Sequence, residues 1–379
     1  MSLALSEEQE LLRNTAREFI AEHSPVKELR RLRDTNDPVG FSRELWGQMA
    51  ELGWAGIVLP EEYGGADLGW AELGVVLEEC GRTLAATPFV STLLLAANAL
   101  LLAGNGTQKK DLLAAVAKGQ TVLAFALQEG AHHAPYQVAT TAVATKDGYQ
   151  LTGKKTFVQD GHVADQLVVV ARTAGKPGDR DGLSLFLVPK HARGLGVQRT
   201  TMVDGRNAAN VELAGVEVDK SAVVGTLGRG AEVLDPVLDR ATIGFSAELL
   251  GTITEAFERT IAYLKTRKQF GVPIGSFQAL KHRAAEMFTQ VELSRSIVLD
   301  ALRAIDEKRP DVPALASIAK ARVSDAAHLV GNEAVQMHGG IGVTDEEEIG
   351  LFLKRARVAE LTLGDAAYHR ARFASLAGF

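Results

Sequence analysis

Residues 121–128 read TVLAFALQ, and the hydrophobic period of the chain changes at this stretch. Upstream, apolar residues recur at the spacing of amphipathic helices. Leu12, Ala16, Phe19 and Ile20 form one such row, and ELWGQMAELG, DLGWAELGVVLEECGRTL and VSTLLLAANALLLAG continue it. Ser6 with Gln9 three residues later makes a capping-box pattern that predicts a helix start. Gly and Pro punctuation such as PEEYGGADLG separates the segments. Downstream the period shortens to two. ATTAVATKDGYQLTG, DQLVVVART, GLSLFLVP and NVELAGVEV read as strands, with Asp147-Gly148 as a hairpin turn. In NVELAGVEV, Val211 and Leu213 alternate with polar neighbours, and Val216 and Val218 resume the alternation after Ala214-Gly215. Beyond Gly230 the helical period returns in longer segments, first through Leu249, Leu250, Ile253, Phe257 and Leu264, then after GSFQ and in PALASIAKARVSDAAHLVGNEAVQMHGG. Helices of that length pack as a bundle joined by short loops. The order helical, β, helical predicts an α+β multidomain chain. Its expected parts are an N-terminal all-α domain over 1–120, a middle β domain over 121–225 and a C-terminal helical bundle over 226–379.

With 379 residues, 46% of them hydrophobic and 23% charged, the chain is long enough to bury about three quarters of the surface its unfolded form exposes. This is the composition of a globular protein, not a disordered one. A formal net charge of -6 argues against a wide basic face, so no nucleic-acid partner is expected. The only cysteine, Cys80, excludes an intramolecular disulfide or a thiolate metal cluster and reads as a small buried hydrophobe in a reducing compartment. The start MSLALSEEQELL has no basic segment followed by an apolar run, and no stretch of about 18 apolar residues occurs. A cytoplasmic protein without a membrane partner is the expectation.

Simple chemical signatures are absent. There is no Walker A motif, no Gly-x-Ser-x-Gly and no HExxH, and LGRGAEVL carries only a lone Gly-x-Gly outside a strand-turn-helix setting. His132-His133 has no third ligand nearby and reads as surface loop, so no metal is expected. Two stretches in the last third are more pointed. TRKQFGVPIGSFQALKHRAAEM places Arg267 and Lys268 before an aromatic and a glycine, with Gln278 following at a junction between helices. An arginine there either clamps a diphosphate bidentately or ends a helix in solvent. VQMHGGIGVT ends a helix with Gln336 and continues through Gly339, Gly340 and Gly342. Its glycines either turn backbone amides toward an anion or serve as a C-cap and turn.

Taken with GWAGIVLPEEYGGADLG and the order of the three regions, RKQFGVPIGSFQ and VQMHGGIGVT resemble the acyl-CoA dehydrogenase family over about Leu5 to Arg370. QMHGGIGVTDEEEIGLFLKRA looks like the branch that includes heterotetrameric bacterial enzymes for steroid side chains and other bulky acids. The resemblance implies an N-terminal helical domain, a middle β domain of barrel-like or sandwich form and a C-terminal four-helix bundle. It also implies FAD, an acyl-CoA substrate and electron transfer to a flavoprotein acceptor. The family reaction removes the α-proton with a carboxylate and the β-hydrogen as hydride to flavin N5, leaving a trans-2-enoyl thioester. The family's dimer-partner contacts to the FAD diphosphate and adenosine map onto Arg267, Phe270, Gln278, Gln336, Gly339 and Gly340, all of which match.

Elsewhere the chain departs from the pattern. The Thr-Glu-Pro of the own-subunit flavin contacts reads Gln128-Glu129-Gly130, the Gly-Ser-Asp falls within AHHAPY, and the Trp-x-Thr reads Phe157-Val158-Gln159. Phe157 can still pack on the ring and Gln159 can still bond its edge. Where most members carry the catalytic Glu-Gly-Thr, this chain has Leu363-Gly364-Asp365. Asp365 stands two positions too late and is expected to cap a short helix. A minority of the family places the base at the start of the C-terminal bundle, directly before an arginine. That position is Asp239, with Arg240 beside it as support; the alternative is an Asp that caps or pairs at a helix start. Three readings follow. The chain is an acyl-CoA dehydrogenase using Asp239, assembled as a homotetramer; or it is a non-catalytic subunit of an α2β2 heterotetramer; or it is a relative that uses flavin for other chemistry.

Overall fold

A computed structural model of the chain describes residues 4–379. These residues form two compact units interleaved in sequence: the chain up to Arg31 with Gly69–Ala85 and Thr242–Phe379, and Leu32–Leu68 with Ala86–Ala241. Every regular element described before Leu123 is helical, as the periodicity requires.

The first unit is helical. Helix Glu7–His23 starts at Ser6, where Gln9 N–H donates to Ser6 Oγ at 3.2 Å and Ser6 N–H donates to Gln9 Oε1 at 3.1 Å, the predicted capping box. Helix Trp70–Arg82 is capped from a distance: the Asp306 carboxylate accepts Trp70 N–H at 2.7 Å and Ala71 N–H at 3.0 Å, satisfying two first-turn donors. This helix crosses Ala231–Thr266 with backbone against backbone. A Cβ on Gly81 would lie 1.9 Å from the Glu248 carbonyl oxygen, and one on Gly251 1.8 Å from that of Glu78, so only glycine permits the crossing. Cys80 is buried beside it, the small hydrophobe its isolation suggested. Helix Val312–His338 packs against Gln278–Asp306, Ile349–Leu361 and Ala366–Leu376. Together with the Thr242–Thr266 part of the preceding helix, these build the C-terminal bundle.

The second unit centres on one mixed sheet. Its strands are β1 (Leu123–Ala126), β2 (Thr141–Ala144), β3 (Gly148–Gln159), β4 (Gln166–Arg172), β5 (Leu183–Pro189), β6 (Leu195–Thr201), β7 (Asn207–Asp219) and β8 (Val223–Val224). The order is β6-β7-β3-β2-β4-β5-β8, with β1 parallel to β4. β2 and β3 form the hairpin expected at Asp147-Gly148, closed by Thr145 N–H on the Gly148 carbonyl at 2.9 Å. The break in alternation at Ala214-Gly215 is a β-bulge: Leu151 faces Val216 and Thr152 faces Ala214, so Gly215, at φ 70°, is the extra residue. Leu151, Val169, Val188 and Val211 lie in the core on one face of this sheet. Among the described residues no helix is long and apolar enough to cross a membrane.

Candidate functional site

In the sheet unit, Gln128, Phe157 and Gln159 are held together by backbone pairing. Thr156 N–H donates to the Gln128 carbonyl at 2.7 Å, which sets the end of β1 beside the middle of β3. Phe157 sits in the left-handed region at φ 52°, at the irregularity where the β3–β7 register shifts between Lys155 and Val158, and its side chain is 45% exposed. Gln159 is half-buried and rejoins the ladder opposite Ala208. The Gln128 amide is turned back, its Nε2 donating to the Gly130 carbonyl at 2.9 Å.

Beneath this surface lies a buried ion pair. Lys155 Nζ meets Glu129 Oε1 at 2.6 Å and the Leu127 carbonyl at 3.2 Å, while Glu129 also accepts Ala139 N–H at 2.6 Å and Thr140 N–H at 3.0 Å. Burial pushes the Lys155 ammonium down to about 8 against the pull of Glu129. Burial likewise raises the Glu129 carboxyl, but Lys155 and the donors at Thr140 and Ala139 outweigh it and hold the group below its ordinary value. Farther along the same segment, the Arg172 guanidinium donates to the carbonyls of Tyr136, Val138, Ala174, Asp179 and Asp181. The stretch from Leu127 to Thr140 is thus pinned by one carboxylate and one guanidinium. Neither signal is readable from spacing, because each partner lies in a different strand or loop.

Asp239 lies in the first part of helix Ala231–Thr266, which this unit contributes, and is 4% exposed. It is no N-cap: the helix begins eight residues earlier. Arg240 donates from Nη1 to Asn98 Oδ1 at 3.2 Å, and Asn98 Nδ2 donates to the Leu94 carbonyl at 3.2 Å, so the amide is oriented to receive the guanidinium. One turn before Asp239, Asp235 accepts the Tyr136 hydroxyl, and Arg180 bonds Asp235 while its guanidinium lies 4.7 Å from the Tyr136 ring centroid. Asn98 and Tyr136 are site neighbours that sequence reading missed. Their only signals were a buried amide in an otherwise apolar helix and a lone aromatic in a loop.

In the helical unit, Arg267 follows the end of helix Ala231–Thr266, with the short hairpin of Lys268–Gln269 and Val272–Pro273 after it. Arg267, Gln278 and Gln336 are exposed, and Phe270 is 90% exposed at φ 54°. Gly339, at φ 66°, and Gly340 have open space where a Cβ would stand. Tyr263 joins the two stretches, stacking on His338 at 4.4 Å with its hydroxyl donating to the His338 carbonyl at 3.2 Å. Exposed arginine and amide side chains and an uncovered glycine turn can donate to a diphosphate, and a bare phenyl ring can pack on a purine, so the chemistry of this set is compatible with a dinucleotide such as FAD.

At the usual base position, Leu363 is half-buried at φ 60°, and its carbonyl receives His369 Nε2 at 2.9 Å. Asp365 caps helix Ala366–Leu376 through Tyr368 N–H at 2.8 Å, the role expected of it. Among the described residues, five non-glycine residues other than Asn and Asp have positive φ: Leu84, Phe157, Phe270, Lys308 and Leu363. Three of the five are positions the sequence comparison singled out, and backbone strain of about 1–3 kcal/mol per residue concentrates where function maintains it. The Leu363 turn is held by Lys320, wholly buried, whose Nζ reaches the carbonyls of Ala359 at 2.9 Å, Glu360 at 3.0 Å and Gly364 at 2.9 Å.

Burial pushes the Lys320 ammonium down to about 7 despite Glu360 and Asp365 nearby. With Lys155 lowered to about 8, both groups titrate below the ordinary lysine value of 10.5. The unfolded chain therefore holds more protons than the folded one from about pH 7 up to 10.5, and on their account stability rises with pH across that window. Urea midpoints measured from pH 7 to 9.5 are expected to climb, with a flatter profile in Lys320→Met.

Comparison with known proteins bears on the same residues. Residues 6–120, 124–219 and 228–376 match the models of the acyl-CoA dehydrogenase N-terminal, middle and C-terminal domains. The 3-(aryl)acrylate reductase of Clostridium sporogenes is 31% identical, with 98% of each chain covered. A short-chain-specific acyl-CoA dehydrogenase of Clostridium acetobutylicum is also 31% identical, with 96% of each covered. The ChsE4-ChsE5 complex of Mycobacterium tuberculosis gives a TM-score of 0.90 at 28% identity, covering 100% of both chains.

Proposed function

Since the chain belongs to the acyl-CoA dehydrogenase family, we propose that it is a flavin-dependent acyl-CoA dehydrogenase whose proton-transferring group is Asp239. The observation that carries this reading is a buried carboxylate directly before an arginine, in a chain that has leucine at the usual base position. FAD, when bound, supplies the hydride acceptor. Gln128, Phe157 and Gln159 would hold its ring, and Arg267, Phe270, Gln278, Gln336, Gly339 and Gly340 of a neighbouring copy its diphosphate and adenosine. Arg240, which donates to Asn98, would steady the helix turn that carries Asp239. Asp239 takes the α-proton as the thioester is oxidised, and gives it back if the reaction runs toward the saturated acyl group, the direction named for the clostridial reductase. Asp is one methylene shorter than Glu, so the acyl chain must sit about an ångström nearer the helix than it would beside a glutamate. The division into 1–120, 121–225 and 226–379 remains our functional partition. Anaerobic mixing with acyl-CoA thioesters of graded size tests the proposal: bleaching with enoyl-CoA formation is the expected result, and no bleaching with any of them contradicts it.

The turned-back Gln128 amide and Leu363 favour a second reading, a non-catalytic subunit in an α2β2 assembly with a related chain; the ChsE4-ChsE5 neighbour is itself a complex. There this chain lends its Arg267 and Gln336 side to a partner's flavin. Electron-transfer flavoprotein is the proposed acceptor in either assembly, and the cytoplasm the proposed location.

A further inference from the structure

In the helical unit, helices Glu7–His23, Trp70–Arg82, Ala231–Thr266 and Gln278–Asp306 line a cavity of about 430 Å³, with Ala4 and Leu5 along one edge. None of the residues assigned to flavin or proton transfer faces it. Its wall is apolar through Val75, Leu250, Val298, Leu299 and Leu302, and four arginines stand around it. Three of these are answered by carboxylates: Arg17 by Glu79 at 2.8 Å, Arg82 by Glu255 at 2.7 Å and Arg295 by Glu78. Arg13 has only a long ion pair, from Nη2 to Glu10 at 3.9 Å on the same cavity edge, and its Nε is buried with no acceptor. A buried donor of a charged group left without a partner is costly, and the acceptor that best suits a guanidinium is a carboxylate. The volume falls within the range of small-molecule sites, about 300–1,000 Å³.

We propose that this cavity binds a medium-chain aliphatic monocarboxylate, its head on Arg13 and its tail along Val75, Leu250, Val298 and Leu302. The ligand is a free acid held by one guanidinium and apolar contact, a site separate from the one that processes the thioester. Its existence does not depend on the activity proposed above.

The test uses the purified full-length chain with decanoate as titrant and a diazirine-bearing decanoate as photoprobe. Saturable binding is expected, with cross-links in peptides from Glu7–His23 or Gln278–Asp306. Arg13→Leu is expected to weaken binding about tenfold or more, and uncharged decanol to bind weaker than decanoate by a similar factor. Arg13 is 35% exposed, so the substitution leaves the fold intact, which an unchanged thermal midpoint verifies. Ala71→Leu narrows the cavity from another wall and is expected to weaken decanoate without touching the head group. Absence of saturable binding, cross-links confined to other segments, affinity unchanged in Arg13→Leu, or decanol binding as tightly as decanoate would each overturn the proposal.

Discussion

Asp239→Asn is expected to slow reduction of bound flavin by an acyl-CoA thioester about a thousandfold in a single turnover, with substrate binding little changed. General-base catalysis contributes about 10²–10⁴ to such a step, and the amide cannot accept the proton. The substitution is isosteric, so the helix around Asp239 is expected to keep its shape. Loss of rate with an unaltered flavin spectrum and an unaltered thermal midpoint assigns the loss to proton transfer. An unchanged rate of bleaching would remove Asp239 from the chemistry. Leu363→Glu provides the converse check: it restores a carboxylate at the usual position, where φ 60° already provides the turn, and is expected to rescue part of the lost rate in the Asp239→Asn background.

Lys155→Met is expected to cost about 3–5 kcal/mol of stability, the range for removing one partner of a buried ion pair. The expectation rests on 0% exposure of the Lys155 side chain and 13% for that of Glu129, whose charge would be left with two amide donors alone. Against a total of about 5–15 kcal/mol for a domain, the loss is severe. Lys155→Met with Glu129→Gln removes both charges and is expected to recover much of it. A coupling energy near zero in the urea-unfolding cycle would show that the pair carries no such interaction. Lys155 also anchors the strand that carries Phe157 and Gln159, so flavin affinity is expected to fall with stability in the single variant and to return in the double one.

Much of the fold was legible from period alone. The capping box at Ser6, the Asp147-Gly148 hairpin and the break in alternation at Ala214-Gly215, which the fold makes a bulge, each rest on two to four consecutive residues where local chemistry dominates. What escaped depends on residues far apart in sequence: Asp306 capping the helix at Trp70, Arg172 reaching back to the Tyr136 and Val138 carbonyls, Asn98 holding Arg240 and Lys320 closing the Leu363 turn. No periodicity encodes a partner 142 positions away, as Asn98 is from Arg240. Gln128 shows the reverse limit. Its residue type suits a flavin contact, and only the folded loop shows that one of its amide donors is already turned to the Gly130 carbonyl.

The most direct measurement is the flavin content of the chain purified alone, followed by anaerobic addition of an acyl-CoA thioester. One FAD per chain, bleached within a single turnover and yielding enoyl-CoA, is the result the account predicts. A chain that is colourless alone, and acquires half-stoichiometric flavin only on mixing with a related subunit, would contradict it and establish the borrowed-site reading instead.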